Sequence, residues 1–104
     1  MKTFRTLELA IRFYKEGQSV QMPKHLREQF DRAASSISLN LAEGNARYSY
    51  KDKSRIYQIA NGSLRECQTI LRLSDVTDEK LLETSKHLGI SMSRLLQGTQ
   101  AKIQ

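Results

Sequence analysis

Residues Ala33 to Arg47 read AASSISLNLAEGNAR, and this stretch decides the fold because its apolar residues recur with the period of an α-helix. Ile37 and Leu41 lie one helical turn apart. Four further residues fall within about 60° of Ile37 on a helical wheel: Leu26, Phe30, Ala33 and Ala34. We therefore expect a second helix from about Lys24 to Ala46 that turns this apolar face toward a core.

Two more stripes run along the same helix, and neither is typical of an ordinary solvent-exposed surface. One is polar and lies at the edge of the apolar face: Ser36, Asn40, Glu43 and Arg47. The other is small or apolar and lies roughly opposite the core: Ser35, Leu39, Ala42 and Ala46. The helix is therefore expected to make contacts on both sides.

The polar stripe is open to several interpretations. Ser36, Asn40 and Glu43 can form an interhelical hydrogen-bond network that fixes helix register. Glu43 and Arg47 are four residues apart and can instead form an exposed ion pair. A subunit contact and a ligand groove are the remaining alternatives.

Composition favours an all-α protein with one domain over residues 1–104. The chain has a single Pro, five Gly and no regular two-residue alternation. A first helix is predicted from about Phe4 to Ser19, and a third extends to about Ser74. A fourth begins after a cap at Thr77 or Asp78. Short connections between these helices predict an antiparallel up-down-up-down four-helix bundle.

The predicted first helix also has apolar residues on two sides. Its main stripe is expected to contain Phe4, Leu7, Ile11 and Tyr14. Leu9 and Phe13 point away from that stripe, which suggests more than one packing partner. Five residues therefore form the predicted oligomer interface: Leu9, Phe13, Leu39, Ala42 and Ala46.

The predicted third helix carries the clearest apolar face, which spans four turns without a break. Its members are Ile56, Ile59, Ala60, Ser63, Leu64, Cys67, Ile70 and Leu71. The lone cysteine is thus expected to be a small buried residue rather than a nucleophile. Gly62 lies off this face and costs about 1 kcal/mol relative to Ala unless another backbone approaches there.

Sequence motifs give no support for catalysis, a cofactor, a metal or a small-molecule substrate. The two histidines, His25 and His87, belong to no Glu-x-x-His pair, and Glu83 with His87 is expected to form a surface ion pair. Glycine-rich phosphate loops and serine nucleophile elbows are absent from the sequence. Without a membrane-spanning or signal segment, the expected location is cytoplasmic and the expected partners exclude membranes.

The charge balance favours an anionic partner, because the formal net charge is +6 and the pI is about 9.7. Residues 47–57, hereafter the basic junction, combine four cations with three tyrosines. The cations are Arg47, Lys51, Lys53 and Arg55, and the tyrosines are Tyr48, Tyr50 and Tyr57. Lys and Arg can hold phosphates while tyrosine rings stack on unpaired bases of RNA or DNA. Alternatively, the tyrosines pack the end of the bundle and the cations form a solvated rim.

Two sequence elements stand out as motifs. The first is Ser36-Ile37-x-x-Asn40-Leu41-Ala42-Glu43-Gly44, followed by Arg47. The second is Ala60-x-Gly62-Ser63-Leu64-x-Glu66, on the third helix. Together they resemble the family of 23S rRNA intervening-sequence proteins. Ser38 stands where the family commonly has Pro, and the chain lacks the Trp that is frequent in the first helix.

The resemblance implies a four-helix bundle that assembles into a homo-oligomer, typically a ring-shaped pentamer. It also implies that Ser36, Asn40, Glu43 and Gly44 form a motif-based polar network. Two functions remain in competition. One is a non-enzymatic homo-oligomer that binds nucleic acid through the basic junction. The other is a structural or protein-interaction module whose basic surface is incidental.

Overall fold

The computed structural model describes residues 4–103, which form four α-helices and contain no β-strand. The helices are α1 (Arg5–Gly17), α2 (Lys24–Asn45), α3 (Tyr50–Leu73) and α4 (Glu79–Gln100). Their bounds agree with the predicted ones to within two residues wherever both ends were assigned. The prediction of an all-α protein with four helices is confirmed.

The helices pack side by side into a bundle that measures 44 × 24 × 20 Å. Within residues 4–103, α1 and α3 each contact both α2 and α4, whereas the pairs α1/α3 and α2/α4 make no backbone contact. Each helix therefore buries one face toward the shared core and leaves another outside. None of these helices combines the length and the apolar character that crossing a membrane requires.

Side-chain caps explain where α3 and α4 begin. Ser49 Oγ accepts a hydrogen bond from the Asp52 N–H at 3.1 Å, and Asp78 Oδ1 accepts one from the Leu81 N–H at 2.8 Å. In the turn between α1 and α2, the Arg27 guanidinium donates to the Gly17 and Val20 carbonyls. These contacts satisfy backbone groups that a helix end leaves unpaired.

The core confirms the apolar face predicted for α2. Five of its residues are buried: Phe30, Ala33, Ala34, Ile37 and Leu41. Leu26 packs against the core and is only partly buried. In α3, the predicted face is correct except at Ile59, which is 48% exposed. The exposed side of α2 carries Leu39, Ala42 and Ala46 as predicted.

The prediction for α1 is wrong about which face of the helix is buried in the core. Leu9 and Phe13 are buried in the core, so neither can belong to an oligomer interface. The Phe13 ring lies 5.6 Å from the Phe30 ring, measured between centroids. The predicted stripe of Phe4, Leu7, Ile11 and Tyr14 is only partly buried. The small residues Ala10 and Gly17 are buried on the same face, and a Cβ at Gly17 would lie 2.7 Å from the Phe30 ring.

Candidate nucleic-acid interface

The basic junction lies where the chain leaves α2 and enters α3. Residues 46–49 connect the two helices, and the Ser49 cap starts α3 one residue before Lys51. Arg47, Tyr48 and Ser49 therefore lie in the connection, whereas the residues from Tyr50 to Arg55 form the first turns of α3. The charged and aromatic side chains of the junction consequently have different surroundings.

Lys51 and Arg55 are the cations of the junction that are most accessible. Lys51 is exposed and forms no ion pair with any residue between 4 and 103. Arg55 is 61% exposed, and its Nε lies 4.0 Å from Asp52 Oδ1, a loose contact of the kind that contributes little at a surface. Both can therefore reach an anionic ligand.

Arg47 and Lys53 already have partners within the chain. Arg47 Nη2 donates to Glu43 Oε1 at 2.6 Å, in an exposed ion pair between residues four apart. Lys53 Nζ donates to the carbonyls of Asn45 at 2.9 Å and Gly44 at 3.3 Å. Its ammonium thus caps the C-terminal end of α2, where the helix dipole favours a positive charge. Lys53 accordingly has a structural contact within the chain, and its role in nucleic-acid binding stays a prediction.

The three tyrosines of the junction differ sharply in exposure. Tyr57 is buried against Phe4, with ring centroids 6.2 Å apart, and desolvation raises the pKa of its phenol. Tyr50 is 41% exposed, and Lys102 Nζ lies 5.4 Å from the centre of its ring. Tyr48 is fully exposed. The packing interpretation therefore holds for Tyr57 and fails for Tyr48.

The end of α4 adds cations that sequence reasoning missed. Tyr50 shares a groove with Arg94, Gly98 and Lys102. Lys51 and Arg55 line a second groove of about 740 Å³, whose other side includes Gln100 and Ile103. Lys51 and Lys102 are far apart in the sequence, so local charge patterns could not associate them. Only the packing of α3 beside α4 brings the two residues to the same end of the bundle.

The polar stripe of α2 splits into two separate features. Asn40 Nδ2 donates to the carbonyl and the hydroxyl of Ser36 at 2.8 and 3.0 Å. The Ser63 hydroxyl on α3 donates to Ser36 Oγ at 3.0 Å. These three residues link α2 to α3, as the interhelical interpretation predicts. Glu43 takes no part in this network, because its carboxylate faces outward and pairs with Arg47.

Gly44 is absent from the hydrogen bonds that join Ser36, Asn40 and Ser63, and its lack of a side chain has a steric role. A Cβ at this position would lie 2.6 and 2.8 Å from two ring carbons of Tyr57. Gly44 lies inside the last turn of α2, which ends at Asn45, and its φ is not positive. Glycine is therefore needed so that α2 and the Tyr57 ring can approach closely.

Cys67 and His87 are potentially reactive groups that lie outside the basic junction. Burial, with a smaller contribution from the charge of Glu66, raises the pKa of the Cys67 thiol to about 12, so the thiol stays protonated at neutral pH. His87 Nε2 lies 2.9 Å from Glu83 Oε1 in the exposed pair that the sequence predicts. Residues 4–103 contain no cluster of three or more His, Cys, Asp or Glu side chains able to hold a metal.

Comparison with known proteins identifies one family. The profile described as 23S rRNA-intervening sequence protein matches residues 4–97. Searches of curated proteins and of solved structures return no match. The matched segment includes both sequence elements noted above and most of the four helices. The chain therefore belongs to the 23S rRNA-intervening sequence protein family.

Proposed function

We propose that this protein is a non-enzymatic, antiparallel up-down-up-down four-helix bundle that forms a homo-oligomer and binds RNA at the basic junction. The carrying observation is that accessible cations line two grooves where α3 begins and α4 ends, and that one of these grooves contains Tyr50. Lys51 and Arg55 on α3 line one groove, and Arg94 on α4 and Lys102 just after α4 line the other. A pentamer is the assembly that the family resemblance implies.

Contacts between neighbouring helices support the antiparallel arrangement. Ser36 near the middle of α2 contacts Ser63, whereas Gly44 near its end contacts Tyr57, which is earlier in α3. Likewise, Gln68 contacts Ser85, while the earlier Tyr50 contacts the later Lys102. Opposed order within both pairs is what an up-down path would produce.

Electrostatics favour a nucleic acid over other partners of this surface. The chain has a net charge of +6, and an exposed ammonium or guanidinium gains affinity by releasing counterions from phosphates. Asp52 is the acidic residue among those that line the Lys51–Arg55 groove. The family description refers to sequences inserted in 23S rRNA, which makes RNA the first nucleic acid to test.

The test measures RNA affinity by fluorescence anisotropy over a salt series from about 50 to 200 mM. Wild-type affinity is expected to fall steeply with salt. The double variant Lys51→Glu/Arg55→Glu should bind at least about tenfold more weakly at low salt, since it loses two phosphate contacts and adds repulsion. Arg72→Glu/Lys86→Glu provides a matched control, because it makes the same charge change beside a different groove.

Either of two results would contradict the proposal. Wild-type protein that binds no RNA at low salt would exclude an RNA-binding function. Equal losses in the junction and control variants would show that overall charge, rather than the junction, determines binding.

A specific surface also favours the structural alternative. Leu39 is 69% exposed on α2 and Ile59 is 48% exposed on α3. The Ser36–Ser63 hydrogen bond sets a register in which these two side chains come near the same outer edge of the α2/α3 pair. Such an apolar edge suits a contact between subunits. If the protein assembles there and binds no RNA, the interaction-module alternative would be the better description.

A further inference from the structure

We infer that Tyr48 stacks on an unpaired base, so that the RNA segment held at the basic junction is single-stranded. This inference rests on the proposed RNA-binding function and narrows its substrate class. It concerns one side chain in the four-residue connection between α2 and α3, where no helix packs over the ring.

Exposure separates Tyr48 from the other tyrosines of the junction. Tyr57 is buried in the core, and the Lys102 ammonium lies over the Tyr50 ring. Tyr48 is fully exposed, so its ring has no packing role among residues 4–103. A large aromatic ring in water is available to an external apolar or aromatic surface.

The cations that follow Tyr48 closely in the chain favour a nucleotide as that external surface. Lys51 and Arg55 are exposed on the adjoining first turns of α3, and Lys102 lies against Tyr50. An identical end of a second subunit would bring the same cations together and would be repelled. A polyanion whose monomers each carry a flat ring matches both the charge and the aromatic side chain.

Base pairing determines which form of RNA can stack on the Tyr48 ring. In a duplex, the faces of the bases are stacked on one another, and proteins contact mainly phosphates and 2′-hydroxyls. A duplex could therefore engage Lys51 and Arg55 while the Tyr48 ring stayed in water. An unpaired base can leave its stack and cover the ring, so only single-stranded RNA gains from Tyr48.

The absence of tryptophan from the chain allows a direct test. Tyr48→Trp creates a sole tryptophan whose fluorescence should be quenched by a single-stranded oligoribonucleotide and much less by the same sequence in a duplex. Tyr48→Ala should weaken single-strand binding by at least about fivefold. Its effect on duplex binding should be less than about twofold, because no stacking is lost there. Tyr48→Phe retains the ring and should bind like wild type.

Controls distinguish the possible failures. Leu73→Ala removes another exposed apolar side chain, from the last residue of α3, and should change neither affinity. Equal losses of single-strand and duplex affinity in Tyr48→Ala, or no loss, would overturn the stacking inference while leaving RNA binding intact. A lower mass of Tyr48→Ala by light scattering would assign Tyr48 to a subunit contact instead. Failure of wild-type protein to bind either RNA would reject the proposed function and this inference together.

Discussion

Gly44 and Gly62 are both helical glycines of the family motifs, yet their surroundings are opposite. A side chain at Gly44 would collide with the Tyr57 ring, whereas a Cβ at Gly62 would meet nothing within 4 Å. Sequence alone identified both positions but could not tell them apart. The difference depends on Tyr57, which is distant in sequence from Gly44 and packs against it only after α3 folds back.

Substituting alanine at these two positions should therefore have opposite effects. Gly44→Ala is expected to lower the free energy of unfolding by about 1–3 kcal/mol, because a buried ring must move to admit the methyl group. Gly62→Ala should raise it by about 0.5–1 kcal/mol through the higher helix propensity of alanine. Chemical denaturation followed by circular dichroism measures both. A destabilised Gly62→Ala would show that another subunit approaches α3 closely at this point.

The helices differ in how well their buried faces could be predicted. For α2, one face contains nearly all the large apolar residues, so the periodicity predicts only one buried face. For α1, apolar residues occupy two faces, and the prediction chose the one with Leu7 and Ile11. Neighbours on both sides instead bury Leu9 and Phe13. Small residues at Ala10 and Gly17 were the overlooked signal for the close-packed face.

Lys53 shows how a helix end can use a cation that the sequence suggests for a ligand. Its ammonium donates to carbonyls at the end of α2, so Lys53→Met should lower the free energy of unfolding by about 0.5–1 kcal/mol. Lys51→Met is the matched control, since Lys51 is exposed and has no such contact. It should leave the melting temperature unchanged but weaken RNA binding more than Lys53→Met does. The reverse pattern would contradict both assignments.

At the scale of the whole molecule, the bundle gathers groups that the sequence keeps apart. The start of α3 and the end of α4 meet, which places Lys102 over the Tyr50 ring. The four-helix architecture was predictable from hydrophobic periodicity and short connections. The extent of the basic surface was not, because it depends on which helix ends are neighbours. The proposed RNA-binding surface therefore belongs to the bundle rather than to any single segment.

Assembly is the property on which the two functional hypotheses converge, and Leu39 is the residue that tests it best. Leu39→Glu should reduce the mass measured by light scattering to that of a monomer, because it places a charge in the proposed apolar contact between subunits. The monomer should stay folded, since Leu39 is 69% exposed and contributes little to the core. Ile90→Glu is the matched control: Ile90 is also exposed, on α4, which does not contact α2. A Leu39→Glu protein that keeps the wild-type mass would exclude this edge as the interface. Dissociation of both the Leu39→Glu and the Ile90→Glu proteins would show that the effect is not specific to this edge.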